Sequence, residues 1–136
     1  MGDNYILALT ISGIGLMSIL MGVVKAVMDT LLFHYDTSVF KKAKNQDWWN
    51  PVLSWDNKNT MSSNLFIKWM LRSPLVFLTD AWHLFGFLYM FLLVSIVFVS
   101  MFVQHSNVEW YWWLLVSVSI WVVHSVSFHI FFTYIF

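Results

Sequence analysis

The sequence predicts an all-α integral membrane protein with three transmembrane helices, and three observations carry that prediction. Hydrophobic residues make up 60% of the 136-residue chain and charged residues only 10%, where soluble proteins average roughly 25% charged. Three apolar runs are each long enough to cross a hydrocarbon core of about 30 Å. Between the first and the second lies a segment holding six of the seven Lys and Arg residues. A soluble fold of this length has too little interior to hide so much Leu, Val, Ile, Phe and Trp, so lipid takes the place of a large core.

Helix one is expected over 5–34. Its run from Tyr5 to Val24 carries no charge, and a helical pattern continues through Lys25 and Asp29 to His34. Ser18, Gly22 and Ala26 recur at every fourth position, a small-residue stripe that lets a second backbone come close. That stripe serves packing within the bundle, or contact with other membrane helices or with a second copy of the chain. The next segment, 35–73, mixes Lys and Arg with Asp and Asn and contains Trp48, Trp49, Trp55 and Trp69. Rings with an apolar body and a polar N–H favour the lipid–water boundary, so this loop is expected to lie on the bilayer surface. Asn50-Pro51 reads as a turn, and Leu65 to Leu71 as a short interfacial helix. Helix two is expected over 74–103, with Pro74 in its first turn. Helix three is expected over 108–136, behind the aromatic belt Trp110 to Trp113, and the polar connection 104–109 makes helices two and three an antiparallel hairpin. The whole chain, 1–136, is one membrane domain.

Composition also excludes functions. Net charge is zero and the basic residues form no dense cluster, so nucleic-acid binding has no electrostatic support. Absence of cysteine removes disulfides, thiolate metal sites and Cys nucleophiles. The N-terminus has neither a basic n-region nor a small-residue cleavage pattern, so helix one is expected to be retained. Lys and Arg in short flanks resist translocation. Loop 35–73 and the C-terminus are therefore expected on the cytoplasmic side of an inner or plasma membrane, and the N-terminus outside.

Ionisable residues within spans are costly and point to function by default. On this topology Lys25, Asp29, His34, Asp80, His83, His124 and His129 all fall toward the inner leaflet. Lys25 and Asp29 are four apart, Asp80 and His83 three apart, so each pair can satisfy itself, and the histidines of helix three have Ser125 and Thr133 as neighbours. Alternatively, Asp29, His34, Asp80, His83, His124 and His129 are candidate metal ligands, and these donor types suit zinc or iron. His124 and His129 stand about 140° apart around a helix and would not both face one ion. A proton path would need polar groups through the full thickness, and the outer halves carry only Ser and Thr. No nucleophile elbow accompanies the serines.

Three segments, Asp29-Thr30-Leu31-Leu32-Phe33-His34-Tyr35, Trp49-Asn50-Pro51-Val52-Leu53-Ser54-Trp55 and Phe77-Leu78-Thr79-Asp80-Ala81-Trp82-His83, resemble a group of small uncharacterised membrane proteins of bacteria and phages. The resemblance covers about half the chain and does not extend into helix three. It implies a shared architecture and singles out Asp29, His34, Asp80 and His83, without assigning a reaction. Three functions follow: an accessory or scaffolding subunit packing in the bilayer, a metal-dependent enzyme acting on a lipid-like substrate, and a pore or holin-like oligomer. The first predicts local pairing of the polar groups, whereas the second predicts that they face one cavity.

Overall fold

In a computed structural model that describes residues 2–60, 64–73, 75–103 and 109–136, every regular element is helical. The chain runs through a long helix α1 (Gly2–Phe33), short surface helices α2 (Gln46–Trp49), α3 (Pro51–Thr60) and α4 (Leu65–Arg72), then α5 (Ala81–Val103) and α6 (Trp110–Ile130), which tightens into a π-helical turn over Phe131–Ile135. Three stretches, Ala8–Phe33, Ala81–Met101 and Leu114–Ile135, have mean hydropathies of 1.9, 2.4 and 1.8 and are long enough to span a bilayer. At 1.5 Å per residue the shortest, with 21 residues, covers about 32 Å.

Both outer spans pack along α1. In the apolar window of α1, 39% of the residues are buried, against 6% in each of the others, so α1 is the middle helix. The hairpin expected of helices two and three does not form as a packed pair: among the described residues α5 and α6 have at most marginal backbone contact with each other. Long side chains bridge the gap, as where the Tyr89 and His124 rings meet edge to face at 6.1 Å. On the α5 side Ile14 and Met21 enclose Ile96, and Gly86 leaves the Met28 Cε 3.4 Å from where a Cβ would stand.

The α1–α6 contact is closer. A Cβ on Gly22 would lie 2.6 Å from the His124 carbonyl oxygen and 2.7 Å from the Ser127 Cβ, so only glycine fits. One turn away the Ser127 hydroxyl donates to the Ile19 carbonyl over 2.8 Å. Ser18 and Ala26 are fully buried. The small-residue stripe is thus occupied within the monomer, and self-association through Ser18, Gly22 and Ala26 would require displacing α6.

One end of the bundle is closed by the first part of the loop, residues 35–49. Val27 and Leu31 of α1, Phe40 of the loop and Ala81 of α5 form a buried cluster, with Tyr35, Trp48, Trp49, Trp82, Phe85 and Phe136 packed around it. Phe40 stacks on Trp49 at 4.9 Å, and the Val39 N–H donates to the Phe136 carbonyl over 3.3 Å. Trp48 and Trp49 therefore turn inward, where the sequence suggested bilayer anchors; burying indole against the bundle end outweighs placing it in the headgroups. Trp55 and Trp69 do face outward. The expected Asn50-Pro51 turn is a helix start, with the Asn50 side chain accepting from the Val52 and Leu53 N–H groups at 2.9 and 3.3 Å. Asn64 caps α4 in the same way. Helix two begins at Ala81, later than the expected 74, and Pro74 and the connection 104–108 lie outside the described residues.

Overpacking at Gly22 tests the α1–α6 contact. Gly22→Ala should lower unfolding stability in detergent by about 1–3 kcal/mol, and Ser127→Ala by about 0.6 kcal/mol. Gly13→Ala and Gly15→Ala, where a Cβ meets open space, should be neutral or slightly stabilising. Thermal unfolding followed by circular dichroism reads all four.

Candidate functional site

The candidate residues gather at the capped end, as two satisfied pairs and three separate histidines. On α1, the Lys25 Nζ donates to the Asp29 carboxylate one turn on, and Phe128 of α6 lies beneath the ammonium at 6.0 Å. This is the self-pairing that the four-residue spacing allows.

Asp80 is the pivot of the second pair. It stands just ahead of α5 and is only 4% exposed. Its Oδ1 accepts from the His83 N–H at 2.9 Å, which makes it the N-cap and explains why α5 starts at Ala81. The same carboxylate meets His83 Nδ1 at 2.8 and 2.7 Å. Against a carboxylate acceptor Nδ1 carries the proton, which fixes the imidazole orientation. The Thr79 hydroxyl adds a contact of 3.0 Å. Asp80 and His83 border a cleft of about 260 Å³ with Leu32, Pro51, Ser54, Trp55 and Trp82. Each of the three resembling segments contributes to that cleft, so they meet in space.

The remaining histidines stand apart. His34, at the foot of α1, meets Phe132 edge to face at 5.2 Å. His124 lies between the helices, its Nε2 buried without a hydrogen-bond partner among the described residues. His129 is exposed, with Thr133 Oγ1 3.5 Å from its Nδ1, in keeping with the angular separation from His124. Among the described residues no three His, Asp or Glu side chains come together as a group able to hold a metal ion. The expected layer of Asp29, His34, Asp80, His83, His124 and His129 thus shares one end of the bundle without converging, and the zinc or iron reading gains no support from the geometry.

Sequence reasoning missed two polar residues. Gln46 ties the loop together: its Nε2 donates to the Lys41 carbonyl at 3.2 Å and to the Ala43 carbonyl, while its Oε1 accepts from the Tyr35 hydroxyl. Burial pushes the Tyr35 phenol above its ordinary value, opposed by that hydrogen bond. A single Gln in a polar loop carries no periodic signal. Thr30, 2% exposed, buries a hydroxyl that finds no partner among the described residues; a Thr in an apolar run reads as filler until its surroundings are known.

No family model, curated protein or solved structure matches the chain. The site is therefore read from its own contacts.

If Asp80 acts as a cap, Asp80→Asn should keep most of the stability, since an amide oxygen still accepts from the His83 N–H, whereas Asp80→Ala should cost about 1–2 kcal/mol. Thermal unfolding of the two variants in one detergent separates these outcomes; equal losses would show that the carboxylate charge of Asp80, and not the cap, dominates.

Proposed function

We propose that this chain is an accessory or scaffolding subunit of a membrane assembly, a rigid three-helix unit whose outer helices pack against partner helices. The observation that supports this most is the division of labour between polar and apolar groups. Lys25 with Asp29 and Asp80 with His83 are taken up in local pairs, and among the described residues no three His, Asp or Glu side chains gather as a group able to hold a metal ion. Meanwhile α5 and α6 leave long faces uncovered: Phe87, Met90, Phe91, Val94, Val97, Phe98 and Met101 on one, Leu114, Leu115, Val118, Trp121, Val122 and Val126 on the other. On α5 the exposed positions recur three, four and seven apart, one continuous stripe along the helix.

Orientation belongs to the same proposal. The basic loop 35–73 and the C-terminus sit on the cytoplasmic face, with the N-terminus opposite, because translocating Lys41, Lys42, Lys44, Lys68 and Arg72 is disfavoured. A metal-dependent enzyme would need three or more of the candidate ligands to converge, and the pairs already formed would have to break first.

Photo-crosslinking residues placed singly at Phe91, Val94 and Val97 of α5, and at Leu114, Val118 and Val122 of α6, test this in the native membrane. The proposal expects adducts to one discrete polypeptide, with helical periodicity on at least one helix. Adducts to lipid alone at all six positions would contradict it. In the same cysteine-free background, Asn45→Cys should react with an impermeant maleimide from the cytoplasmic side only.

A further inference from the structure

Resting on the accessory-subunit proposal, we infer that the trough between α5 and α6, floored by Lys25 and Asp29 of α1, seats one transmembrane helix of a different polypeptide that carries an Asn or Gln side chain within its span. An ion pair left partly open at membrane depth supports this, together with a Tyr hydroxyl at the same level.

The trough follows from the packing. Helices α5 and α6 both lie along α1 and have at most marginal backbone contact with each other among the described residues. On α1, Met21 and Met28 touch α5, at Ile96 and beside Gly86, and Gly22 backs onto α6. Lys25 stands about 40–60° round the helix from each of these three, between the two contact seams. Its Nζ lies 6.0 Å from the Phe128 ring of α6 and donates to Asp29. The pair stays open: Lys25 keeps 38% of its side-chain surface and Asp29 21%. Their span ends at Phe33, so Asp29 lies about 6 Å and Lys25 about 12 Å inside it. Tyr89 sits at the matching depth, about 12 Å into a span that starts at Ala81. Its ring meets His124 of α6, and its hydroxyl, which is not sealed off, makes no hydrogen bond among the described residues.

These groups define the chemistry of what covers them. An ammonium has three N–H donors, of which Asp29 takes one, and the Tyr89 O–H is a further donor. Lipid tails offer them no acceptor. An amide side chain matches the set: its carbonyl accepts from Lys25 or Tyr89, its NH2 donates to Asp29, and it adds no charge to a pair that is already neutral. Polar side chains of this kind hold membrane helices together. A lipid phosphate lies outside the hydrocarbon and would bring an uncompensated negative charge next to Asp29. A second copy of the chain does not supply the amide, since no Asn or Gln falls within the three spans.

The test uses the full chain in phosphatidylcholine vesicles with a photo-crosslinking residue at Trp121, which is 68% exposed and lies seven residues before Phe128 on the same face of α6. Two synthetic probes are added in turn: a leucine transmembrane helix with a single Asn about 12 Å from one end, and the same helix with Leu there. The Asn helix should give about tenfold more adduct than the Leu helix. A Lys25→Met/Asp29→Leu double variant, which removes both charges at similar volume, should abolish that excess. Tyr89→Phe, which removes one hydroxyl, should reduce it about threefold and serves if the double variant does not fold. Equal yields from the two probes, an excess that survives both variants, or adducts between two copies of the chain in place of adducts to the Asn helix would overturn the inference. The six outward crosslinking positions on α5 and α6 separate that failure from a broader one: discrete adducts there leave the accessory-subunit proposal standing without this seat, and lipid adducts alone remove both.

Discussion

How closely α6 can approach α1 governs the architecture. Lipid tails are as apolar as Leu, so helices in a bilayer gain little from burying apolar surface against each other and associate through close packing and hydrogen bonds. At Gly22 the α6 backbone comes so near that a single added carbon would sit 2.6 Å from the His124 oxygen. The same proximity brings the Ser127 hydroxyl onto the Ile19 carbonyl. With both α5 and α6 packed along α1, that helix is the most buried of the three and the two outer ones turn their remaining surface outward. The open faces on which the functional proposal rests are thus a consequence of where α1 keeps its small residues.

The closed end follows from a second demand, that polar groups at the edge of the hydrocarbon be satisfied within the chain. Asp80 takes the orphan N–H at the start of α5, Asn50 and Asn64 do so for α3 and α4, and Gln46 accounts for carbonyls of the irregular loop. Stacked rings of Phe40 and Trp49 seal what remains. Thr30 is conspicuous against this background because its buried hydroxyl finds no partner among the described residues.

The three spans were legible because length and hydropathy answer directly to bilayer thickness, and the two charge pairs because spacings of three and four define neighbours on a helix. Leu65 to Leu71 was legible as a short helix for the same reason, with Lys68 and Arg72 on its polar side, and the observed helix runs one residue further, to Arg72. Which helix lies in the middle was not, since all three runs are similarly apolar; the clue was present in Ser18, Gly22 and Ala26, but a stripe of small residues does not say whose backbone fills it. The start of α5 was misplaced because Pro74 suits a first turn while the Asp80 cap is decided by a hydrogen bond to His83 three residues on. Trp48 and Trp49 misled because indole is at home both in headgroups and in a core, and only the arrival of Phe40 and Phe136 selects the core. The shared depth of the histidines was inferred from axial rise alone, which carries no information on whether side chains on different helices turn toward one another.

Spin-label distances among the three spans address the central claim, that α1 lies between α5 and α6, most directly. Cysteine labels at the outward positions Leu16, Val97 and Val122, introduced two at a time into this cysteine-free chain in a bilayer, give three interhelical distances. The account predicts that the α5–α6 distance is the longest, with both distances to α1 shorter. An α5–α6 distance shorter than either of the others would mean that the outer helices form their own hairpin, and the enclosed middle helix, with everything derived from it, would be wrong.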